Sequence, residues 1–233
     1  MKFTLKNKST LLRNVDFNPM ISAILAHYND SDGFCVNWGI RPFVYDPAGG
    51  SSVVFTLIDH DASVPDALGW HTDEQGRPEA FIPVGAIFDA GGDVYALGSA
   101  GASVTSVFAH ELLETAIDAD ANGWEQSSPT TMIAREVCDP VQDQIVYANG
   151  VPLANAVLPP YFDPQAVGIR GRFDLLGVLS EPFAMTSGGY QAVLDLTSNT
   201  VSNVFGADTK DWVRKSKMIR GRNAKRCAAW GVK

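Results

Sequence analysis

A short run of residues near the middle of the chain has the types and spacing needed to bind a metal ion. Residues 110–114 read His-Glu-Leu-Leu-Glu. Residues four apart on a helix share one face, so His110 and Glu114 would be neighbours, with Asp118 one turn further along. An imidazole and carboxylates on one face can bind a divalent cation. The spacing therefore predicts metal ligands at His110 and Glu114, with Asp118 as a candidate to complete the shell and Glu111 as the general base of any hydrolysis or an outer-shell residue.

The second glutamate of this run decides which metals and which chemistry fit. In the His-Glu-x-x-His helix of zinc enzymes a histidine stands where this chain has Glu114. An anionic oxygen replaces a neutral nitrogen, so zinc stays the first expectation while calcium, magnesium and manganese become alternatives. The extra negative charge also makes metal-bound water less acidic. We expect a site that is metallopeptidase-like but not primarily catalytic, although ordinary surface helices also carry this pattern.

Further ligands must come from other parts of the sequence. Glu136 and Asp139 lie in the stretch Glu-Val-Cys-Asp, and either one can complete a metal shell after the chain turns back. His71 is a candidate donor to a transition state or a further ligand, although an ordinary, partly exposed histidine fits the same position. The sequence thus predicts a site that joins one helix to a later acidic segment.

Two segments have the pattern of helices. Residues 103–118 combine a capping serine, Ser103, with apolar residues at helical spacing, and the stop signal Asn122-Gly123 follows. Residues 16–28 have a proline suited to the first turn and an apolar stripe after it. The first of these helices would present the metal-binding run on one face.

Several segments have the composition and alternation of strands, and turn residues separate them. The predicted turns include residues 46–50, residues 72–78 and the pair Asn149-Gly150. The predicted strands are residues 34–45, 52–58, 80–88, 134–138, 144–147 and 191–196.

The run and its flanks resemble the plant secreted phosphate-induced, or exordium-like, proteins. Those proteins carry a His-Glu-x-x-Glu helix, an Asn or Asp eight residues after the histidine, an Asn-x-Trp and a later Glu-Ile-x-Asp stretch. The positions of this chain that match are Asp118, Asn122, Trp124, Glu136 and Asp139.

The chain also resembles a group of bacteriophage virion proteins and bacterial proteins with a divergent zincin-like metallopeptidase module. They share the His-Glu-x-x-Glu helix and Glu-Val-Cys-Asp, and they carry an upstream Leu-Gly-Tyr-His segment followed by a Gly-x-Pro turn and a strand. Residues 68–71, 76–78 and 81–84 match that layout. This chain departs from the pattern at Trp70, where tyrosine is usual, and at Ala119, where proline is usual.

The resemblances cover roughly residues 16–165 and imply the fold and its division. They imply an α+β fold, with a zincin-like mixed sheet, a long N-terminal helix, the metal-site helix and a β-rich C-terminal region. We predict a zincin-like domain at 1–150, a β-rich extension packed on it at 151–207 and a basic C-terminal arm at 208–233.

The positive charge of the chain is concentrated at its C-terminal end. Residues 210–233 contain nine lysines and arginines against one aspartate, a net charge of +8, whereas the remainder carries −16. Such an arm could contact nucleic acid or an acidic partner, or it could be a solvated terminus. The residues predicted to make such contacts are Arg214, Lys215, Lys217, Arg220, Arg222, Lys225 and Arg226.

The composition is that of a soluble globular protein, with 45% hydrophobic and 19% charged residues. The basic start of the chain is followed by polar residues 7–10 instead of the apolar core of a signal peptide. The longest uncharged run near the motif, residues 94–109, is too short and too polar for a bilayer, which needs ~20 apolar residues. Three cysteines do not make a disulfide framework.

Three functions are compatible with these features. The first is a phage virion structural or assembly protein at a head–tail junction, tail or capsid, made in the host cytoplasm. It would act in many copies with other virion proteins and without a membrane. The second is an active zinc metallopeptidase that uses Glu111. The third is a nucleic-acid-contacting protein that uses the basic arm. We favour the first.

Overall fold

The computed structural model describes residues 1–12, 17–65, 67–74, 76–168 and 171–218. Within these residues the protein is a mixed α+β structure with three β-sheets. Its helices are α1 (Asn18–Tyr28), α2 (Phe34–Asn37), α3 (Val84–Asp89), α4 (Val104–Ile117) and α5 (Asp211–Met218).

The first sheet has five strands in the order β2-β1-β3-β5-β4. Strands β2, β1, β3 and β5 run parallel to one another. Strand β4 forms one edge of the sheet and pairs with β5 in the antiparallel direction. The central strand β3 buries three consecutive residues, Phe55, Thr56 and Leu57, so both of its faces are covered there. The strands are β1 (Lys2–Asn7), β2 (Val44–Tyr45), β3 (Val53–Ile58), β4 (Trp70–Glu74) and β5 (Arg77–Pro83).

The other two sheets come from the second half of the chain and are antiparallel. One has the order β11-β10-β7-β6, with β6 (Trp124–Ser128), β7 (Thr131–Ala134), β10 (Tyr190–Asp195) and β11 (Thr200–Phe205). The other is the hairpin of β8 (Ile145–Ala148) and β9 (Val151–Ala154). The predicted boundary at residue 150 falls in the turn of this hairpin, and the four-stranded sheet takes strands from both sides of it.

Helix α4 lies at the centre of the fold. Ser103 caps it through a reciprocal pair of bonds with Ser106, as the sequence predicts. The helix packs against β4 and β5 of the first sheet and against β9 of the hairpin. Phe108 is fully buried, with its ring centroid 5.0 Å from that of Phe55 on β3. These contacts hold the helix that carries the metal-binding run.

The segment predicted as a strand at 34–45 folds differently. It begins as the short helix α2, and only Val44 and Tyr45 are in a strand. The side-chain amide of Asn37 donates to the carbonyl of Gly33 at 2.8 Å, which favours the local turn over sheet pairing. The strand prediction for these residues is wrong because their aromatic residues pack into the core from a helical turn.

Two other predicted strands stop early. The strand predicted at 80–88 ends at Pro83, which lacks a backbone N–H, and α3 begins at Val84. The strand prediction at 134–138 is wrong, because only Ala134 of these residues lies in a strand, as the last residue of β7. The residues after it turn away from the sheet and enter a 3₁₀ turn at Asp139–Val141. This departure from the sheet brings the acidic segment toward α4.

The N-terminal helix α1 spans 11 residues, so the long helix implied by the resemblance is not observed. Its Tyr28 hydroxyl donates to the carbonyl of Ala154 at 2.8 Å and joins the helix to the hairpin. None of the helices among the described residues is both long and apolar enough to cross a membrane.

Candidate metal centre

Four chain segments, one of them α4 itself, meet at the middle of α4 and bring histidine and carboxylate groups together. The middle of α4 supplies His110, Glu111 and Glu114, and the edge strand β4 supplies His71. Glu136 lies in the loop after β7, and Asp139 begins the 3₁₀ turn. The helical spacing brings His110 and Glu114 together locally. The other residues of the site reach them only through tertiary packing.

The first group of donors is His110, Glu114 and Asp139. The Nε2 atom of His110 lies 3.1 Å from Oε1 of Glu114 and 3.3 Å from Oδ1 of Asp139. One ligand atom from each residue lies within 4.8 Å of the others, so the three could hold a metal ion. The structure thus brings together the helix pair and the later acidic residue that the sequence places in one site.

The second group is His71, Glu114 and Glu136, whose ligand atoms also lie within 4.8 Å of one another. The Nδ1 atom of His71 lies 3.6 Å from Oε2 of Glu114. Its Nε2 atom lies 3.1 Å from the backbone carbonyl of Asp118. A carbonyl accepts but does not donate, so Nε2 carries a proton and Nδ1 is the atom that faces the carboxylates.

Burial sets the electrostatics of both groups. His71, Glu114, Glu136 and Asp139 are buried, and the side chain of His110 is 18% exposed. Burial, followed by the charge of Glu136, raises the pKa of Glu114 to about 7. Burial alone would lower the pKa of His110, but the charges and hydrogen bonds of Glu114 and Asp139 outweigh it and raise that pKa well above 6.5. The site therefore favours added positive charge.

Glu111, predicted as a general base or an outer-shell residue, is buried. It is 2% exposed, and its Oε2 lies 3.2 Å from Nδ1 of His71. The backbone of Gly69 covers its other oxygen, since a Cβ built on Gly69 would lie 2.7 Å from Oε1. Glu111 is thus placed to orient His71, with its other oxygen beside Gly69.

Cys138 lies beside the site without serving as a thiolate ligand. Its thiol donates to the carbonyl of His110 at 3.7 Å. Burial raises the pKa of this thiol well above 9, and the nearby carboxylates raise it further. Its backbone N–H donates to Oε1 of Glu114 at 3.4 Å. The residue therefore helps to orient Glu114.

Asp118, predicted as a ligand, belongs to neither group. Its carboxylate accepts hydrogen bonds from the backbone N–H groups of Asn122 and Gly123, at distances between 2.9 and 3.1 Å. These bonds close the turn that ends α4, since aspartate side chains often accept hydrogen bonds from the backbone of a following turn. The side chain of Asp118 shapes the loop, and its carbonyl positions His71.

The start of the basic arm is packed on the protein body. Arg214 donates to the carbonyls of Thr209 and Gly206 at 3.1 and 2.9 Å and lies over the ring of Phe205. Lys210 donates to the carbonyl of Ser99 at 2.6 Å. Lys215 and Lys217 are in α5, of whose last four side chains nothing is described. The remaining predicted contact residues, Arg220, Arg222, Lys225 and Arg226, lie outside the described residues.

Comparisons with known proteins do not indicate a function for this chain. No family model matches the chain, and no curated protein or solved structure gives a significant match. A fold resemblance would in any case not fix a function, because function depends on the site.

Proposed function

We propose that this protein is a phage virion structural or assembly protein, built on a zincin-like scaffold, in which a buried divalent-metal centre clamps the fold. The clamp would join β4, α4, the loop after β7 and the following 3₁₀ turn through His71, His110, Glu114, Glu136 and Asp139. These segments are separated along the sequence and meet only through tertiary packing, so a metal bond among them would stabilise the folded state over the unfolded chain.

One observation favours a structural role of the metal over a catalytic one: the candidate ligands are buried. A catalytic metal site must keep a position that water and substrate can reach from solvent. Here His71 and the carboxylates of Glu114, Glu136 and Asp139 are buried. Among the five candidate ligands, only the side chain of His110 is partly exposed. Glu111 is covered by Gly69 and paired with His71. The arrangement suits a clamp that supports assembly.

Two further features support the zincin comparison and the virion setting. The mixed sheet with an antiparallel edge strand beside the metal-site helix is consistent with a zincin-like module. Strand β11 forms an edge of the four-stranded sheet, and Val204 on it is 42% exposed. An edge strand offers backbone groups with which a strand of a neighbouring subunit can pair.

Zinc is the first metal to test, because imidazole and carboxylate ligands suit it and the centre offers two imidazoles. Manganese, magnesium and calcium follow, because carboxylate oxygens are the majority of the donors.

The buried site predicts that the purified protein does not cleave peptides. With zinc added, we expect no turnover of a mixed fluorogenic peptide library above the rate of a Glu111→Gln variant, because Glu111 is buried against His71 and Gly69. Mass spectrometry of casein digests checks the same point on a long chain. Zinc-dependent cleavage that disappears in Glu111→Gln would replace the clamp by the metallopeptidase alternative.

The virion assignment predicts that the protein is part of assembled particles. Mass spectrometry of gradient-purified virions from cells producing the encoding phage should detect its peptides in a stable ratio to the major capsid protein. Nuclease and high-salt washing serve as controls for adsorbed protein. Particles that form normally and contain none of it would overturn this assignment and leave the metal centre untouched.

A further inference from the structure

We propose that the centre binds two divalent metal ions and that Glu114 bridges them. The inference rests on the proposed metal centre and adds the number of ions and the role of each ligand. One ion would lie between His110, Asp139 and Glu114, and the other between His71, Glu136 and Glu114.

The donors fall into two groups of a size that each suits one ion. In each group, one ligand atom per residue lies within 4.8 Å of the others. Ligands bonded at about 2.0–2.3 Å to a common ion are separated by no more than about twice that distance, so each triad matches a single ion. The five residues do not combine into one group of this diameter, and Glu114 is the member that both groups share.

The two oxygens of Glu114 face opposite histidines. Oε1 lies 3.1 Å from Nε2 of His110, whereas Oε2 lies 3.6 Å from Nδ1 of His71. A carboxylate that directs one oxygen at each of two ligand sets has the geometry of a bridge. The backbone N–H of Cys138 donates to Oε1 and fixes the plane of the carboxylate. Two-metal centres hold their ions about 3.5–4 Å apart, a separation that one carboxylate spans.

Each histidine directs a nitrogen at carboxylate oxygens. Nδ1 of His71 faces Oε2 of Glu111 at 3.2 Å and Oε2 of Glu114. Nε2 of His110 faces Oε1 of Glu114 and Oδ1 of Asp139. A nitrogen lone pair repels such oxygens unless a cation, either a proton or a metal ion, lies between them. The hydrogen bond from Nε2 of His71 to the Asp118 carbonyl is the outer support that metal-bound histidines usually have.

The charge of the centre also matches two ions. Glu111, Glu114, Glu136 and Asp139 are all buried, which gives four carboxylates within one small volume. One divalent ion would neutralise two of these charges, and two divalent ions neutralise all four. Buried charge that is left unbalanced costs several kcal/mol or more, so a single ion would leave two of these charges to be balanced by protons, whereas two ions balance all four.

The number of bound ions tests the proposal directly. The full-length protein is stripped with chelator, reloaded with Mn²⁺ or Zn²⁺, passed through a desalting column and analysed for metal. We expect two ions per chain. The Mn²⁺-loaded protein should show the electron paramagnetic resonance spectrum of an exchange-coupled pair, which two isolated ions do not give.

Variants assign the two ions to their ligands. Glu136→Gln should lose only the ion beside His71, and Asp139→Asn only the ion beside His110, so each variant binds one ion and loses the coupled spectrum. Glu181→Gln, an exposed matched control, should keep two ions and the coupling. Circular dichroism checks the folding of each variant, and if one fails to fold, the spectrum of the unchanged protein decides.

The possible results separate this inference from the proposed function. One ion per chain, or two ions without magnetic coupling, would overturn the bridge and leave a metal clamp in place. No bound ion would overturn both the bridge and the clamp. A variant of Glu136 that still binds two coupled ions would also contradict the assignment.

Discussion

Replacing Glu114 by glutamine is expected to abolish metal binding and, in the same protein, to stabilise the metal-free fold at neutral pH. Glu114 is the residue common to both ligand groups, and glutamine offers a neutral amide in place of an anionic oxygen ligand. Loss of this ligand should weaken Zn²⁺ or Mn²⁺ binding more than about 100-fold, beyond the effect of removing an outer-shell partner. Isothermal titration calorimetry at pH 7.5 measures the change.

The stability gain follows from the buried environment of the same carboxyl. Burial and the neighbouring Glu136 raise the pKa of Glu114 to about 7, so the folded protein favours the neutral form. Glutamine resembles that neutral form at every pH. We expect the chelator-treated variant to gain on the order of 1–3 kcal/mol in free energy of unfolding at pH 7.5 and little at pH 4.

Urea denaturation in the presence of chelator tests this pair of effects. Glu181→Gln carries the same chemical change on an exposed side chain and should alter neither metal binding nor stability. A Glu114→Gln protein that binds metal like the unchanged chain would remove Glu114 from the centre. Lower stability of the metal-free variant at pH 7.5 would show that the carboxylate is stabilised by its surroundings instead.

The parts of the fold that the sequence predicted are governed by local interactions. Helix α4 spans Val104–Ile117 against a predicted range of 103–118, because its cap and its apolar spacing are encoded within the helix itself. The turn Asn149-Gly150 joins β8 and β9, with both residues at positive φ. Asparagine and glycine accept this backbone conformation more readily than other residues do, so the pair indicated the hairpin directly.

The candidate site was predicted only in part, for the same physical reason. The spacing of His110 and Glu114 fixes their proximity on a helix, but no spacing indicates that His71 lies within 3.6 Å of Glu114. That proximity depends on β4 pairing with β5 and on the packing of both against α4. The segment Leu68–His71 in the phage-type resemblance was the signal available for His71. The role of Asp118 in closing a turn was likewise hidden, since its spacing suits a ligand equally well.

The strand predicted at 34–45 shows how a pattern can be overruled. Alternating apolar residues there favoured a strand, yet Phe34 and Cys35 are both buried while Val36 is 57% exposed. The exposed Val36 and the backbone hydrogen bond from the N–H of Trp38 to the carbonyl of Phe34 belong to a helical turn. Asn29 fixes the end of this segment, since its side chain bonds both the N–H and the carbonyl of Phe43. Tertiary packing thus outweighed the local alternation.

The metal-free protein is expected to lose stability as the pH rises from about 5 to 8, whereas the metal-loaded protein is not. Glu114 has a folded-state pKa of about 7 against an ordinary value of 4.5. Between these values the folded state retains a proton that the unfolded chain has released, so stability falls with rising pH. His110, whose pKa is also raised, adds a fall in the same direction above pH 6.5. The contribution of Glu114 amounts to roughly 3 kcal/mol at most.

Metal binding reverses this dependence because the ligands must be deprotonated to bind. Affinity therefore rises with pH over the range in which the metal-free fold weakens. At a free metal concentration 1,000 times the dissociation constant, binding adds about 4 kcal/mol to the stability of the folded state. The difference in unfolding temperature with and without Zn²⁺ should accordingly be small at pH 5 and large at pH 8.

Differential scanning calorimetry across this pH range, with matched chelator and zinc samples, measures both curves. The Glu114→Gln variant is the control, since it lacks the raised carboxyl and should show a flatter metal-free curve and little response to zinc. A metal-free protein whose stability rises from pH 5 to 8 would mean that the carboxylates of the centre are stabilised as anions by other groups. A zinc response that does not grow with pH would mean that the ion binds away from His71, His110 and Glu114.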